Sequence, residues 1–528
     1  MDAITPTDIQ HAEKLIGLAF TEKERELMLA GLAAWRAHYE SLRGLAFPND
    51  LLPAIRFDPE LLGEVQPPAY PLAAEPAPPP CTPPESTDDL AFWPVSDLAR
   101  GLRQGLFTSV ELTELYLDRL KRYDPQLHCV ITLTEERALE QARRADEALR
   151  SGEDRGPLHG IPWGAKDLLA VRGYPTTWGA TPYKEQIIDE DAAVVEKLDA
   201  AGAVLVAKLS MGALAWGDVW FGGTTRTPWN PEEGASGSSA GSGAATAAGL
   251  VGFSIGTETW GSIVSPSTRN GVTGLRPTFG RVSRHGAMAL SWTMDKIGPM
   301  CRSAEDCALV FAAIHGRDDR DPTTVAKPFP WPPDLDLREL RVGYLADDFE
   351  QDERSRENNI RALDVFRELG VQLIPIHLPS YPIPALQYIL FVEAAAAFDE
   401  LTRSDQDDLL VRQEEEAWPN FFRLARFVPA VEYIQANRVR TRLMAAMQEL
   451  FIQVDAYLGP SLEGDNLLLT NLTGHPSLTL PTGLAQDKLP TTITLTGRLY
   501  DEATILALGR AFQQHTDFHR ARPPLAAH

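Results

Sequence analysis

The sequence predicts an α/β fold in which a mixed central β-sheet is sandwiched between α-helices on both faces. Strand-length apolar runs carry this reading, as in Ala203-Val204-Leu205-Val206-Ala207. Amphipathic helical stretches alternate with them, and capping or stop signals separate the two. In the C-terminal half the alternation is plain. Arg341-Val342-Gly343-Tyr344-Leu345 reads as a strand, Ile360 to Leu369 as a helix stopped by Gly370, and Val371 to Ile376 as a further strand.

In chain order, residues 1–66 read as a helical extension. Its second helix opens at the capping box Thr21-Glu22-Lys23-Glu24. Met28, Leu32, Trp35, Tyr39 and Leu42 follow at spacings of four and three, which places them on one face. Such a stripe is expected to pack on the body or on a second copy of the chain, and it leaves a homodimer open. Residues 67–87 read as a linker, because nine prolines between 67 and 84 fix backbone angles and remove donors. The body, 88–528, starts with a second capping box, Thr108-Ser109-Val110-Glu111, opening a helix that carries Leu112, Leu115, Tyr116 and Leu120. Another helix carries Ala138, Leu139, Ala142, Ala145 and Leu149, and Gly152 suits its stop.

Chemistry concentrates in two segments. One is Gly160-Ile161-Pro162-Trp163-Gly164-Ala165-Lys166-Asp167. The other is Ser236-Gly237-Ser238-Ser239-Ala240-Gly241, followed by Gly256-Thr257-Glu258-Thr259-Trp260-Gly261-Ser262-Ile263. They supply an amine and several hydroxyls, a set suited to acyl transfer without histidine. An amide carbonyl resists attack until an alcohol loses its proton and the oxyanion is stabilised. A lysine serves as the base only when burial disfavours its ammonium, so Lys166 is expected to be desolvated and neutral. Gly261 suits a turn whose N–H groups approach an oxyanion closely.

These segments resemble those of the amidase signature family, with its Gly-Ile-Pro-x-x-x-Lys-Asp stretch and its Gly/Ser-rich segment ending in Gly-Gly-Ser-Ile. In that family a relay serine precedes the nucleophile by 24 positions, the separation of Ser238 from Ser262. Similarity continues through Gly271 to Ser283, Asp295 to Pro299, Asn471 to Pro476 and Gly497 to Ala503. The resemblance implies Lys166 as base, Ser238 as relay after a cis Gly237-Ser238 bond, and Ser262 as nucleophile. It implies an acyl-enzyme, with oxyanion donors among the main-chain N–H groups of Thr259, Trp260, Gly261 and Ser262. Ser239, Glu258 and Gly237 are assigned to the surrounding shell, Ser239 near Lys166. The family's fold matches the α/β sandwich read above.

Departures cluster at the nucleophile loop. Trp260 stands where the family often has Gly, Glu258 where it usually has Asp, and Val264 where an Arg commonly follows Ser-Ile. Arg269 is one candidate to compensate for that Arg. The indole of Trp260 either narrows the acyl pocket or packs into the core.

Other motifs compete for the same residues. Gly237 to Gly241 also matches a G-x-S-x-G nucleophile elbow with Ser239 as nucleophile, which demands strand, turn and helix. The preceding Thr227 to Gly234 is rich in turn formers and unlike a buried strand. Read alone, the glycines and serines also suit an anion-binding nest. His515 and His519 lack the Glu of H-E-x-x-H, so no metal site is expected there. His159 and His285 read as hydrogen-bonded loop histidines, and Lys208 as structural. No cofactor and no metal are implied.

Composition sets the frame. A chain of 528 residues with net charge −24 disfavours broad binding to nucleic acid or to anionic membranes. The four cysteines form no C-x-x-C pair, no apolar run reaches about 18 residues, and the opening Met1-Asp2-Ala3-Ile4-Thr5 lacks a signal pattern. Cytoplasmic residence is the expectation. The function expected is an amidase that hydrolyses a small carboxylic amide to acid and ammonia or amine. Two alternatives are the glutamine-hydrolysing component of a tRNA-dependent amidotransferase, which needs a partner, and a noncatalytic binding or scaffold protein. Residues 380 to 470 are expected to wall the pocket.

Overall fold

The two N-terminal helices begin where a threonine side chain accepts a backbone N–H and an acid three residues on reaches back. Thr5 and Asp8 start α1 (Pro6–Ile16), and Thr21 and Glu24 start α2 (Glu22–Arg43). Arg25 clamps Glu13 across the hairpin at 2.6 and 2.8 Å. The apolar stripe of α2 is not covered within the chain: none of its residues is buried, and Trp35 is 59% exposed.

The computed structural model describes residues 3–45, 47–74, 79–84 and 86–525. Met1-Asp2, Pro76 and Pro78 therefore lie outside the described residues. Residues 47–74 run along the body. Phe57 is buried edge-on against Phe279, with the Arg440 guanidinium 3.8 Å from its ring centre. Leu72 bridges Pro333, and Ala73 N–H donates to Pro332 O at 2.9 Å.

One sheet of eleven strands organises the body. The strands are β1 (Val130–Leu133), β2 (Pro162–Lys166), β3 (Val204–Leu209), β4 (Phe253–Glu258), β5 (Thr273–Arg276), β6 (Lys296–Cys301), β7 (Arg341–Leu345), β8 (Gln372–Ile376), β9 (Ala456–Pro460), β10 (Ser477–Leu484) and β11 (Pro490–Gly497). Their spatial order is β1-β3-β2-β4-β6-β5-β10-β11-β9-β7-β8. It is mixed: β3, β2 and β4 run parallel, as do β9, β7 and β8, while the pairs from β4 through β11 to β9 are antiparallel. Every residue of β2, β3, β4, β6 and β9 is buried, as strands covered on both faces must be.

Helices supply the cover. α3 (Ser109–Leu127), opened by the Thr108 capping box, and α4 (Glu135–Arg150) pack on β3. α5 (Ala240–Ala247) packs on β2 and β4 beside α6 (Val264–Asn270), while α7 (Ala304–Ile314) packs on β5 and β6. α8 (Arg356–Glu368) ends before Gly370, at φ +81°, the left-handed conformation that a stop glycine supplies. α9 (Tyr388–Ala397) and α10 (Ala430–Gln453) belong to the region between β8 and β9, and α11 (Glu502–Gln514) packs on β10 and β11 against α7. The mixed sheet sandwiched by helices matches the predicted fold class. Asn230–Gly234 pairs with Arg226–Thr227 in a two-stranded ribbon outside the main sheet, and none of its residues is buried, in keeping with a stretch unlike a buried strand.

Candidate active site

Register brings the first two components together. β2 and β4 are parallel neighbours with Gly164 opposite Ser254 and Ala165 opposite Ile255, so their C-terminal ends lie side by side. Lys166 ends β2, and Thr257 and Glu258 end β4. The Lys166 side chain is fully buried. Its Nζ lies 2.8 Å from Ser238 Oγ, 2.8 Å from Thr257 Oγ1, 3.0 Å from Ser239 Oγ and 3.4 Å from Thr257 O. Burial pulls its pKa down to about 7, against the weaker opposing pull of Asp295 and Glu258. Among the described residues this buried amine meets only oxygen atoms of hydroxyls and a carbonyl, with no counter-ion in contact to hold its proton.

Ser238 and Ser239 immediately precede α5. The Gly237-Ser238 peptide is cis. Position 237 admits only glycine, because a Cβ there would sit 1.8 Å from Gly217 O. Ser239 Oγ donates to Thr257 O at 3.1 Å and accepts from Thr257 N–H at 3.1 Å, so its proton is committed. Ser239 N–H donates to Ser262 O at 3.2 Å, which draws the Ser262 loop against this cluster. Ser262 lies between β4 and α6, 7% exposed. The preceding Gly261 has φ +85°, where a side chain would be strained.

Glu258 holds that loop. Its Oε2 accepts the N–H groups of Ile263 at 2.8 Å and Val264 at 2.9 Å, while Oε1 accepts Arg276 Nη1 and Asn471 Nδ2, each at 2.7 Å. Burial raises its pKa, but Arg276, Asn471 and the Val264 N–H outweigh this and bring it down to about 2. The compensating arginine is thus Arg276. Arg269 instead pairs with Glu233 at the surface, 2.7 Å away. Val264 is buried, and Trp260 is partly buried against the main core. Thr259 Oγ1 donates to Asp295 Oδ1 at 2.5 Å, and Asp295 Oδ2 accepts the N–H groups of Leu290 and Ser291. Burial raises the Asp295 pKa.

The remaining candidates separate from this cluster. Lys208 Nζ pairs with Asp167 Oδ1 at 2.8 Å, both fully buried. The ring of His159 accepts Arg155 N–H, and that of His285 lies 3.4 Å from Glu190. Among the described residues no group of three or more His, Cys, Asp and Glu is arranged to hold a metal ion. Thr257, which sequence reasoning passed over, is one of the lysine's partners; the only signal for it is its place two residues short of Thr259 in the same segment.

A cleft reaches the lysine cluster at Thr257 and the Ser262 loop at Thr259. Its walls come mainly from residues 284–297, including Met288, Leu290 and Trp292, and from Asp50 and Leu52 of the N-terminal region. Neither Ser238 nor Ser262 is a wall residue. The expected wall from residues 380 to 470 is absent from this cleft. That region acts from behind: Glu393 of α9 accepts from Ser291 Oγ at 2.7 Å and Thr293 Oγ1 at 2.8 Å, and Arg440 of α10 donates to Thr293 O at 2.9 Å.

Comparison with known proteins places this geometry in context. The pattern of the amidase family matches residues 111–467. The A subunit of the glutamyl-tRNA(Gln) amidotransferase of Roseiflexus sp. (strain RS-1) is 35% identical over 478 residues, covering 82% of this chain and 98% of the relative. Its counterpart from Chloroflexus aggregans is 36% identical, covering 83% and 99%. Among solved structures, the native peptide amidase from Stenotrophomonas maltophilia superposes with a TM-score of 0.72 at 31% identity, covering 82% of this chain and 98% of that one.

Proposed function

This chain belongs to the amidase signature family, and from that premise we propose that it opens an amide C–N bond through Lys166, Ser238 and Ser262 by way of an acyl-enzyme. The carrying observation is Lys166 Nζ, buried and 2.8 Å from Ser238 Oγ with no carboxylate partner among the described residues. An uncharged amine donates two protons and accepts one. Since the Ser239 proton is taken by Thr257 O, Ser238 or Thr257 must donate to the nitrogen. Ser238 then takes the proton of Ser262 while passing its own to Lys166, and Ser262 Oγ bonds to the carbonyl carbon. The oxyanion meets main-chain N–H groups of Thr259, Trp260, Gly261 and Ser262, since those of Ile263 and Val264 are held by Glu258. Collapse breaks the C–N bond, and the proton returns through Ser238 to the leaving nitrogen. Water repeats the cycle on the ester. A fluorophosphonate should label Ser262 in the wild type and leave Ser262→Ala unlabelled. Labelling at Ser239 instead would overturn the assignment.

For the amide itself, sequence similarity favours glutamine. The relatives are named as components of a glutamyl-tRNA(Gln) amidotransferase and match over nearly their whole length. In that reading the chain works with partner proteins that receive the ammonia. Likeness to a peptide amidase supports a second reading, a free-standing amidase for small amides. Ammonia release from glutamine that requires added partner proteins supports the first; release from simple amides by the chain alone supports the second. Inertness to all amides, esters and fluorophosphonates would revive a noncatalytic role. Residues 88–528 form the catalytic unit in this proposal, with 1–66 an extension and 67–87 its linker. No helix among the described residues is long and apolar enough to cross a membrane, and the four cysteines are free thiols. Cytoplasmic residence is proposed accordingly.

A further inference from the structure

The segment after α2 is built into the cleft. Asn49 ties it down at both ends of its side chain: Oδ1 accepts Ala289 N–H at 2.6 Å, and Nδ2 donates to Ala289 O at 3.1 Å and to Ala397 O at 3.3 Å. Trp292 Nε1 adds a bond to Asn49 O at 3.2 Å. The segment is thereby fastened to the same 284–297 stretch whose Asp295 holds Thr259. The next residues, Asp50 and Leu52, line the cleft that opens on Thr257 and Thr259.

Charge in this cleft is unevenly satisfied. Arg284 pairs with Asp321 at 3.3 Å, Arg320 with Glu196 at 2.5 Å, and His285 faces Glu190 at 3.4 Å. Asp321 is matched by Arg284, and Asp295 is buried and accepts three hydrogen bonds. Asp50 is exposed and enters no ion pair among the described residues. It is the wall carboxylate whose charge the protein leaves unanswered, on a segment whose neighbour is pinned by four hydrogen bonds.

We propose that Asp50 is a specificity-determining residue, and that it selects amides bearing a cationic group away from the scissile carbonyl. The inference rests on the amide-cleaving reading and names a substrate class for it. Asn49 is the positioning residue, because it holds Asp50 at the cleft without touching the reacting atoms. No covalent step is added to the mechanism.

The test uses the full-length chain and four N-acetylated amides: lysinamide, argininamide, the neutral norleucinamide, and the anionic 1-amide of glutamic acid. Equilibrium binding is measured on Ser262→Ala protein, and kcat/KM on the active enzyme. Lysinamide and argininamide should exceed norleucinamide by about fivefold, the scale of a partly exposed ion pair, and this ratio should weaken in high salt. Asp50→Asn should bring the ratio to about one, and Asp50→Lys should transfer the preference to the anionic amide. Asn49→Ala keeps the carboxylate but unties it, and should lose the preference with a rise in KM larger than its fall in kcat. Equal ratios in wild type and Asp50→Asn, or no binding of any cationic amide, overturn the proposal. Charge-selective binding without turnover would instead overturn the catalytic reading and leave this one standing.

Discussion

Lys166 and Lys208 are the same residue type, both fully buried, on adjacent parallel strands, yet they meet different partners. Lys166 lies opposite Leu209 and Lys208 opposite Ala165, so alternation along the strands sends the two amines to opposite faces of the sheet. Lys208 meets Asp167 at 2.8 Å and Thr176 Oγ1 at 2.5 Å, and the carboxylate opposes the downward pull of burial on its pKa. Lys166 meets hydroxyls and a carbonyl, and burial goes nearly unopposed. Burial alone therefore does not make a base. What matters is whether an anion shares the pocket.

Ser262→Ala should have the largest effect, lowering kcat on the order of 10⁶-fold with the fold intact; substantial turnover in that variant would remove the reason for wanting a neutral Lys166. Next come the two lysines together. Lys166→Met should cut kcat about 10²–10⁴-fold while denaturant unfolding shows stability at least equal to wild type, because a buried amine is replaced by an apolar chain of similar shape. Lys208→Met should do the reverse, costing about 3–5 kcal/mol by stranding Asp167 while the folded fraction stays active. If both variants lose activity without losing stability, the division between them is wrong.

Titration sharpens the contrast. If Lys166 is the base, as proposed, it acts uncharged, and kcat/KM should fall about tenfold per pH unit below about 7 and level off above it. A limb near the ordinary lysine range would mean that Lys166 keeps its proton. The smallest effect expected is for Thr257→Val, which removes one hydroxyl from the amine and should cost about 0.5–1.5 kcal/mol in transition-state stabilisation, read from kcat/KM.

How much of this was readable before folding depends on how local the cause is. Lys166, Ser238 and Ser262 stand in short segments whose residue types suit acyl transfer and whose individual roles only the family resemblance implies, and the structure joins Lys166 directly to Ser238 and brings the Ser262 main chain to Ser239. The choice between Arg269 and Arg276 could not be read in this way. Both are arginines near the loop, and only the position of β5 in the sheet delivers Arg276 to Glu258. The α2 stripe is a correct helix with a correct apolar face, and its periodicity does not choose between the body and a second copy as what lies opposite; within the chain none of its residues is buried.

Helix starts, strand runs, the glycine-bearing turns and the candidate base and serines were determined by sequence, because each depends on torsional preference, capping or residue chemistry within a few positions. Three-dimensional packing alone decided that Thr257 joins the lysine cluster, which arginine supports the Ser262 loop, and that Asp50, more than two hundred positions from Thr257, shares its cleft. Those outcomes turn on strand order and long-range register. They are set by the burial of the whole sheet, and no short window of residues contains it.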